Sequence, residues 1–440
     1  MAFETSLDSR LSTPPLPAPV ELGDLLEPFA SRGIDLGLHR LEAALAEAGH
    51  PERRFPAVQV AGTNGKGSIC TMLHAILQAA GLRVASYRSP HLVSWCERIQ
   101  LGPRWITPEE LRSDLCAWQP LARRHNLTPF ELLTAAAFGR FALEDLDLVV
   151  LEVGLGGRLD ATTAHPDRRL VGFASIGLDH REHLGQHLAA IAAEKAAVLR
   201  PGQTAFSASQ SPEAAAVLEA MAERLGVALH WLEPLPDPSS GGPELGLPGG
   251  FQRRNGAVAM AMARALTEQG WPIGEDAIRL GLAKASWPGR LELRHWRGQN
   301  LLLDGAHNPP AAASLRQELS SRDGLAPRSW LLGIQRHKEA GPMLRALLLP
   351  GDQAFITPIA GHASWEPQAL AQICPELASQ LHAVTDLDAG LARLLRSGDK
   401  SDAQGPHALP VVAGSLYLLG EELRRMAVEQ PCSQGSEQPS

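Results

Sequence analysis

A glycine-rich loop containing one lysine and one serine is the first stretch of the sequence that could perform chemistry. It reads VAGTNGKGS, from Val60 to Ser68, and lies between a strand-like apolar run and an amphipathic helical pattern. Backbone N–H groups at a helix N-terminus favour an anion, to which Lys66 adds positive charge and Ser68 a hydroxyl. The spacing departs from G-x-x-x-x-G-K-[ST], because Val60 takes the place of the first glycine and Gly67 follows the lysine. The loop predicts a nucleotide phosphate site, with a tight turn and a solvated lysine as the alternative.

Two further polar residues follow apolar, strand-like runs. Glu152 ends the run LDLVVLE, and His180 follows RLVGFASIG. Ligands of parallel sheets gather at the carboxyl ends of the strands, and magnesium prefers oxygen ligands such as the Glu152 carboxylate. These positions predict a metal site beside the phosphate loop, with His183 and His187 competing with His180. A carboxylate satisfied by backbone donors and an ordinary packed histidine are the alternatives.

The second half of the chain has a comparable strand end. Asp304 ends the run NLLLD, and His307-Asn308 leads into a helical pattern whose first turn accepts Pro309 and Pro310. A strand-end carboxylate beside a helix N-terminus suits an anionic substrate or the ribose of a nucleotide. Capping of the helix by Asn308 is compatible with either role.

The elements around these residues alternate between strand and helix, beginning with a strand, glycine loop, helix and strand. We predict an α/β fold, with an N-terminal P-loop ATP-binding domain built on a mostly parallel sheet and a smaller Rossmann-like C-terminal domain. Polar sequence between two βα series places the domain boundary near residues 294–300. The predicted parts are a flexible segment at 1–20, the ATP-binding domain at 21–295, the C-terminal domain at 300–427 and a disordered tail at 428–440.

The composition narrows the class of protein. The chain has 440 residues, 44% of them hydrophobic and 20% charged, with a formal net charge of −8. An acidic balance disfavours a general nucleic-acid binder, and no apolar run is long enough to span a bilayer. Five cysteines without C-x-x-C spacing favour a reducing compartment over a disulfide framework. We therefore expect a cytoplasmic protein with neither a nucleic-acid nor a membrane partner.

Eight motifs occur in one order along nearly the whole chain, from about Ile34 to about Tyr417. They are VAGTNGKGS, YRSPHLVSWCERI, LEVGLGGRLDATT, SIGLDH, AAEKAAVL, QRRN, WPGR and LLLDGAHNP. Together they resemble folylpolyglutamate synthase and the bifunctional dihydrofolate synthase/folylpolyglutamate synthase of the Mur ligase superfamily. The shortened loop GTNGKGS resembles the phosphate loop of that superfamily.

The resemblance implies an ATP-dependent ligase that adds L-glutamate to a pteroate or folate carboxylate. The carboxylate would attack the γ-phosphorus of ATP to give an acyl phosphate, and the amine of glutamate would then displace phosphate. It also implies magnesium at two sites, a nucleotide between the domains and a monomer.

Residue roles implied by the resemblance divide into three groups. The nucleotide would be held by Gly62, Thr63, Asn64, Gly65, Lys66, Gly67, Ser68, Asn255, Arg290 and Asp304. The magnesium ligands would be Ser89 and Glu152 at one site and Glu152 and His180 at the other, with Lys66, His180 and Lys195 as catalytic residues. Lys195 matches a lysine that the family carbamylates, whereas on composition alone it is a solvated helix lysine.

The substrate-side residues implied by the resemblance lie in three segments and two single positions. They are Asp35, Leu36, Gly37 and Leu38, then Thr128, Pro129, Phe130 and Glu131, then Leu159, Asp160 and Ala161, with His307 and Ser415 on the glutamate or nucleotide side. Two departures from the family pattern are Glu339, where an aspartate is common, and Phe251 before the glutamine of QRRN. Neither position is a predicted metal ligand.

Two other functions remain as alternatives. A superfamily ligase acting on a nucleotide-linked precursor would share the loop, but would be expected to have an additional N-terminal domain. A regulatory P-loop protein would hydrolyse ATP without glutamate, and would leave WPGR and DGAHNP without a role. The choice between dihydropteroate and folate as substrate depends on the shape of the pocket, which the sequence leaves open.

Overall fold

The computed structural model describes residues 14–398 and 408–429, which fall into two compact units divided between Trp287 and Pro288. Most of the predicted N-terminal segment at 1–20 and nearly all of the tail at 428–440 lie outside the described residues. Within the described ranges, no helix combines the length and apolar character needed to cross a bilayer.

An eight-stranded sheet forms the centre of the first unit, in the order β4-β3-β2-β5-β1-β6-β7-β8. All neighbouring pairs are parallel except β2–β3 and β3–β4. The strands are β1 (Ala57–Ala61), β2 (Val84–Tyr87), β3 (Ile99–Leu101), β4 (Arg104–Trp105), β5 (Leu148–Glu152), β6 (Arg168–Phe173), β7 (Thr204–Ala208) and β8 (Ala228–Leu232). Strands β1 and β5 are buried along their whole length, as expected for central strands covered on both faces.

Helices cover this sheet. They are α1 (Gly23–Leu26), α2 (His39–Glu47), α3 (Lys66–Ala79), α4 (Pro108–His125), α5 (Pro129–Leu143), α6 (Arg181–Leu184), α7 (Leu188–Ala196), α8 (Pro212–Leu225), α9 (Phe251–Glu268) and α10 (Glu275–Lys284). Helices α4 and α5 each begin with a capping box, in which a threonine and a glutamate three residues later satisfy the first backbone N–H groups.

The second unit is a smaller α/β structure with a six-stranded sheet in the order β13-β12-β11-β14-β10-β9. Its strands are β9 (Glu292–Trp296), β10 (Gln299–Leu303), β11 (Ser329–Leu332), β12 (Gln353–Ile356), β13 (Leu381–Ala383) and β14 (Val411–Ala413). Its helices are α11 (Pro309–Asp323), α12 (Ala340–Leu347), α13 (Pro367–Ile373), α14 (Leu387–Gly398) and α15 (Leu416–Glu429). Only the edge strand β9 is antiparallel, pairing with β10. The two units confirm the predicted fold class.

The predicted boundary near 294–300 differs from the observed division. Residues that looked like a polar linker form the hairpin of β9 and β10, with Gln299 opposite Trp296. Alternate residues of an edge strand face water, so the polar positions of β9 resemble loop sequence. The hairpin belongs wholly to the second unit.

Helix α3 is held by close contact with α10. A Cβ atom added at Gly281 would lie 2.4 Å from the backbone N and Cα of Ile76, so the two helices meet at backbone distance. Ile76 and Leu282 at this interface are fully buried. Because α3 begins directly after the glycine loop, this contact fixes the direction in which the loop presents its N–H groups.

We predict that Gly281→Ala destabilises the first unit by about 1–3 kcal/mol, because the added methyl must push two helix backbones apart. Chemical denaturation should show the loss. The control Arg279→Ala changes an exposed residue of the same helix and should stay within about 0.5 kcal/mol of the wild type. Equal stability of Gly281→Ala and the wild type would contradict the close contact.

Candidate active site

Four consecutive strands of the first sheet bring their carboxyl ends to one edge. Strands β2, β5, β1 and β6 are neighbours in that order, and Val60 of β1 pairs with Glu152 of β5. The loops that leave them contain the glycine loop, Ser89, Glu152 and the segment leading to His180. The structure therefore brings together the strand ends at which sequence analysis placed the phosphate and metal sites.

The glycine loop is tied to the end of β6 by several hydrogen bonds. The backbone N–H of Thr63 donates to Ser175 O at 2.8 Å, and the Ser175 hydroxyl donates to Asn64 O at 3.0 Å. The Thr63 hydroxyl donates to Gly177 O at 3.1 Å and accepts from Gly177 N at the same distance. These bonds fix the path of the loop before α3 begins.

Two glycines of the loop adopt conformations that other residues rarely reach. Gly62 has φ 135° and Gly65 has φ 101°. A Cβ at Gly65 would also lie 2.4 Å from Asn255 Oδ1, so the side chain of Asn255 lies directly against the loop. Asn255 donates to Gln252 Oε1 at 2.8 Å, and Gln252 Nε2 donates to the Ser68 hydroxyl at 3.2 Å. This chain of contacts links α9 to the first turn of α3.

Lys66 is the first residue of α3, and its ammonium group donates to Thr63 O at 3.1 Å. The side chain is therefore folded over the loop that precedes it. An ammonium above exposed backbone N–H groups at a helix N-terminus creates a positive site suited to phosphate.

Glu152 is buried, with 4% of its surface exposed, at the end of β5. Its Oε2 accepts from the backbone N–H of Ser89 at 3.2 Å, and the following Ser89–Pro90 peptide bond is cis. The same oxygen would lie 3.7 Å from a Cβ added at Gly67. The carboxylate is therefore adjacent to both the phosphate loop and Ser89, its predicted partner at the first metal site.

The turn after Glu152 is organised by Asp160. Its Oδ2 accepts from the N–H groups of Gly154 and Leu155 at 3.0 and 2.9 Å, and its Oδ1 accepts from Thr162 N at 3.0 Å. Burial raises the pKa of the Asp160 carboxyl, and these hydrogen bonds oppose that rise. Asp160, predicted as a substrate contact, thus holds the turn through its own side chain, between a half-buried Leu159 and a buried Ala161.

Glycines in this turn allow two other predicted parts of the site to approach it. A Cβ at Gly154 would lie 2.5 Å from the ring of Phe130, and one at Gly157 would lie 3.2 Å from Lys195 Cα. The start of α5 and the helix that carries Lys195 therefore pack against the same turn.

Lys195 is buried on α7, with 4% of its surface exposed. Burial, with a smaller contribution from the charge of Lys66, lowers the pKa of the Lys195 ammonium to about 7, against the opposing carboxylates of Asp179 and Asp160. The solvated helix lysine that composition alone suggested is therefore wrong. Burial therefore brings the titration of this amine close to neutral pH.

His180 caps the short helix α6 in a left-handed conformation with φ 50°. Its side chain is 34% exposed, and its ring nitrogens lie 3.9 Å from carboxylate oxygens of Asp179 and Glu182. His183 lies 3.9 Å from the same Glu182 carboxylate, so these two histidines share an acidic neighbour.

Within the described ranges, no three His, Cys, Asp or Glu side chains are grouped closely enough to hold a metal ion by themselves. Magnesium usually keeps several waters and takes substrate phosphates in addition to one or two carboxylates. The oxygen atoms of Ser89 and Glu152 suit that kind of binding.

The first two predicted substrate segments are joined by an arginine. Arg40 Nη1 lies 3.0 Å from Asp35 Oδ2, and Arg40 Nε donates to Glu131 Oε2 at 3.2 Å. Thr128 caps α5, its N–H donating to Glu131 Oε2 at 2.7 Å, and Pro129 occupies the first helical position. The ring of Phe130, in the same segment, is tilted by 39° relative to that of Tyr87, with the centroids 6.0 Å apart.

In the second unit, Asp304 and Arg290 are neighbours. Asp304 is buried and accepts from the N–H groups of Leu291 and Ala306, both at 2.9 Å. Burial raises the pKa of the Asp304 carboxyl, and the charge of Arg290 opposes that rise. A Cβ at Gly305 would lie 2.3 Å from Arg290 Nη1 and 2.4 Å from Leu416 Cδ2, so both side chains lie directly against this glycine.

His307 and Ser415 follow the adjacent strands β10 and β14. The loops after these strands are joined by Gly414 N, which donates to Ala306 O at 3.0 Å. His307 Nδ1 lies 2.7 Å from Gly305 O, and the Ser415 hydroxyl accepts from Tyr417 N at the start of α15. Asn308 caps α11 through Ala311 N, as the capping interpretation predicted.

Three residues near the strand ends escaped the sequence analysis. Arg88 is buried between Trp105 and Trp287, with ring centroids 5.2 and 4.6 Å from its guanidinium carbon. The charge of Asp179 raises the pKa of Lys195, and Gln252 donates a hydrogen bond to the Ser68 hydroxyl. Of these three, Gln252 could have been found from the sequence, because it precedes the predicted nucleotide contact Asn255 by one helical turn.

Comparison with known proteins gives one family. Residues 290–425 of this chain match a protein family described as the C-terminal domain of dihydrofolate synthetase. Dihydrofolate synthetase of Saccharomyces cerevisiae is 32% identical over 424 residues, which span 89% of this chain and 98% of the yeast protein. Dihydrofolate synthase/folylpolyglutamate synthase of Bacillus subtilis is 30% identical over 429 residues, spanning 90% and 96% of the two chains.

Solved structures agree with these relatives. Escherichia coli FolC in complex with DHPP and ADP superimposes with a TM-score of 0.81 at 27% identity, covering 94% of this chain and 100% of that one. A bifunctional folylpolyglutamate synthase/dihydrofolate synthase with Mn, AMPPNP and L-glutamate bound gives 0.77 at 29% identity, covering 94% and 99%. The chain therefore belongs to the dihydrofolate synthase/folylpolyglutamate synthase family of ATP-dependent, glutamate-adding ligases.

Proposed function

We propose that this chain is a dihydrofolate synthase, which joins L-glutamate to the carboxylate of 7,8-dihydropteroate. The choice of dihydropteroate as substrate rests on the names of the relatives of this chain. The family description that matches residues 290–425 is that of dihydrofolate synthetase, and the Saccharomyces cerevisiae and Schizosaccharomyces pombe relatives have that name. Addition of glutamate to folates is the second candidate, because the Bacillus subtilis and Escherichia coli relatives are named for both activities.

The reaction would proceed in two transfers. A carboxylate oxygen of the pterin substrate attacks the γ-phosphorus of ATP, the bond to the β-phosphate oxygen breaks, and ADP leaves. The amine of glutamate then attacks the acyl carbon, loses a proton, and inorganic phosphate leaves with the original carboxylate oxygen. Phosphorylation is needed because a free carboxylate has no good leaving group. The protein contributes mainly position and charge stabilisation.

The glycine loop would hold the phosphates of ATP. Its N–H groups at the start of α3 and the Lys66 ammonium provide positive charge at the point where the transferred phosphoryl group gains negative charge. Asn255, which lies against Gly65, would contact the nucleotide from α9. Arg290 and Asp304 of the second unit are proposed as further nucleotide contacts.

Magnesium would bind at two sites, through Ser89 and Glu152 at one and through Glu152 and His180 at the other. When bound, magnesium would neutralise phosphate charge. Burial of Glu152 and the nearness of residue 89, whose backbone N–H donates to Glu152 Oε2, support the first site, although the same bond is the backbone donor that the alternative without a metal predicts. The oxygen donors match the preference of magnesium, while His180 is an unusual ligand for it.

Lys195 would act as a carbamate. Its buried amine, with a pKa of about 7, is uncharged often enough to react with carbon dioxide. The amine nitrogen would bond to the carbon of CO2 and release a proton, so an ammonium would become a carboxylate-like group. Such a group would attract a magnesium ion, whereas an unmodified ammonium would repel the metal cation.

The pterin substrate would contact residues 35–38, 128–131 and 159–161. The contacts that support this proposal are the link from Asp35 through Arg40 to Glu131 and the approach of Phe130 to Gly154. His307 and Ser415 are proposed for the glutamate side. The monomeric state and cytoplasmic location expected from the sequence stay predictions.

The substrate choice predicts glutamate addition to 7,8-dihydropteroate with Mg-ATP, measured by mass spectrometry of the product. A parallel reaction with reduced folate tests the second candidate. Product from dihydropteroate alone supports a dihydrofolate synthase, and product from both supports a bifunctional enzyme. Product from folate alone would contradict the proposal.

Lys66→Ala should lower kcat/KM for ATP by about two to three orders of magnitude, because it removes the charge placed over the phosphates. Steady-state kinetics with saturating pterin and glutamate would measure the effect. The control Lys284→Ala removes an exposed lysine at the end of α10 and should leave kcat/KM unchanged. Near-normal turnover of Lys66→Ala would refute the phosphate role of the loop.

Lys195→Ala should be inactive, with activity partly restored by added acetate or formate, which can replace the carbamate. In wild-type enzyme depleted of carbon dioxide, reactivation at constant dissolved CO2 should accelerate as pH rises through about 7. The reason is that only the uncharged amine reacts, and it increases as pH passes the pKa. Full activity of Lys195→Ala without added carboxylate would return Lys195 to a packing role.

A further inference from the structure

Arg40 occupies a position that joins two separate parts of the first unit. It stands on the first turn of α2, and only 9% of its surface is exposed. Its guanidinium reaches back to Asp35 and across to Glu131 on α5, which is 91 residues further along the chain. A buried arginine with carboxylates on two sides can fix the distance between the segments that carry them.

All three nitrogen positions of the guanidinium are used. Nη1 lies 3.0 Å from Asp35 Oδ2, Nη2 donates to Asp35 O at 2.6 Å, and Nε donates to Glu131 Oε2 at 3.2 Å. The planar arrangement of donors in arginine is suited to such simultaneous contacts, whereas a lysine ammonium has no fixed plane. Asp35 is therefore held through both its backbone and its side chain.

The segment held in this way is irregular. Residues 34–37 belong to no helix or strand, and Leu36 alone packs on the apolar cluster that includes Val153 and Ile191. Glu131, in contrast, is 3% exposed and forms part of the capping box of α5. Arg40 thus connects an irregular segment to a rigid helix start.

Glu131 depends on Arg40 for charge compensation. Among the described residues, Arg40 is the one cation paired with its carboxylate, and Glu131 Oε1 has no hydrogen-bond partner. Removal of the guanidinium would leave a buried carboxylate without a cation, and such a group is costly to keep in place.

We propose that Arg40 is a positioning residue for the pterin substrate, one that sets the spacing between residues 35–38 and the start of α5. The proposal rests on the proposed function, because those two segments are the ones assigned to the pterin. Arg40 acts through Asp35 and Glu131. Its loss should therefore weaken pterin binding, whereas the hydrogen bonds that hold the phosphate loop, which run to Ser175 and Gly177, stay in place.

Arg40→Met keeps the length of the side chain and removes its donors. We expect KM for dihydropteroate to rise by about tenfold or more, while KM for ATP stays within about twofold of the wild type. Arg40→Lys should give an intermediate KM for dihydropteroate, because it restores charge without the planar donors. A structural role alone would instead lower the melting temperature and leave the ratio of the two KM values unchanged.

Arg140→Met is the matched control. Arg140 lies on α5, the helix that carries Glu131, and donates two hydrogen bonds of 2.8 Å to Asp114 on α4. Its loss removes a comparable ion pair, so stability should fall while KM for dihydropteroate stays at the wild-type value.

Three results would overturn the proposal: an unchanged KM for dihydropteroate in Arg40→Met, an equal rise in KM for ATP, or an equal rise for dihydropteroate in Arg140→Met. If Arg40→Met does not fold, Arg40→Lys decides by the same two KM values. The wild type separates this proposal from the proposed function. A wild type that adds no glutamate to dihydropteroate refutes the function, whereas a working wild type with an unaltered Arg40→Met refutes only the role of Arg40.

Discussion

The hydrogen bonds between the glycine loop and the end of β6 are the constraint on which the rest of the site depends. Thr63 and Asn64 are joined to Ser175, so the loops after β1 and β6 cannot move independently. The parallel register then places Glu152 beside Val60. Only a short loop joins β1 to α3. The N–H groups at the start of α3 therefore point toward the sheet edge where the Glu152 carboxylate lies.

Buried charge is concentrated around this edge. Lys195, Glu152 and Arg88 are each less than 5% exposed, although an isolated buried charge is costly. Burial lowers the pKa of Arg88 to about 10, still well above neutral, while it lowers that of Lys195 to about 7. Arg88 therefore stays charged near neutral pH despite its burial, whereas the Lys195 ammonium titrates there. Lys195 is therefore the group at which we propose reaction with carbon dioxide.

Glycine placement shows how the site is assembled around the turn after Glu152. Gly154 admits the ring of Phe130 and Gly157 admits the backbone at Lys195, at distances that any side chain would block. Asp160 holds the turn rigid between these two contacts. Elements that are far apart in the chain thus meet on one turn.

Much of this arrangement could be predicted from the sequence. Apolar runs ending in Gly62, Glu152 and Asp304 identified strands, and the rule for parallel sheets placed their ends together. Strand β9, the first strand of the hairpin in the second unit, was missed because an edge strand with one solvent-exposed face resembles a loop. The roles of Arg40 and Asp160 could not be read either, since both depend on partners that only the fold brings near.

The acyl phosphate is the central claim of this account, and isotope transfer tests it most directly. Dihydropteroate labelled with 18O in both carboxylate oxygens would be incubated with Mg-ATP and L-glutamate, and the released phosphate analysed by mass spectrometry. An acyl-phosphate intermediate would place one 18O in each inorganic phosphate and leave one in the amide carbonyl. Unlabelled phosphate formed together with the amide product would contradict an acyl-phosphate intermediate.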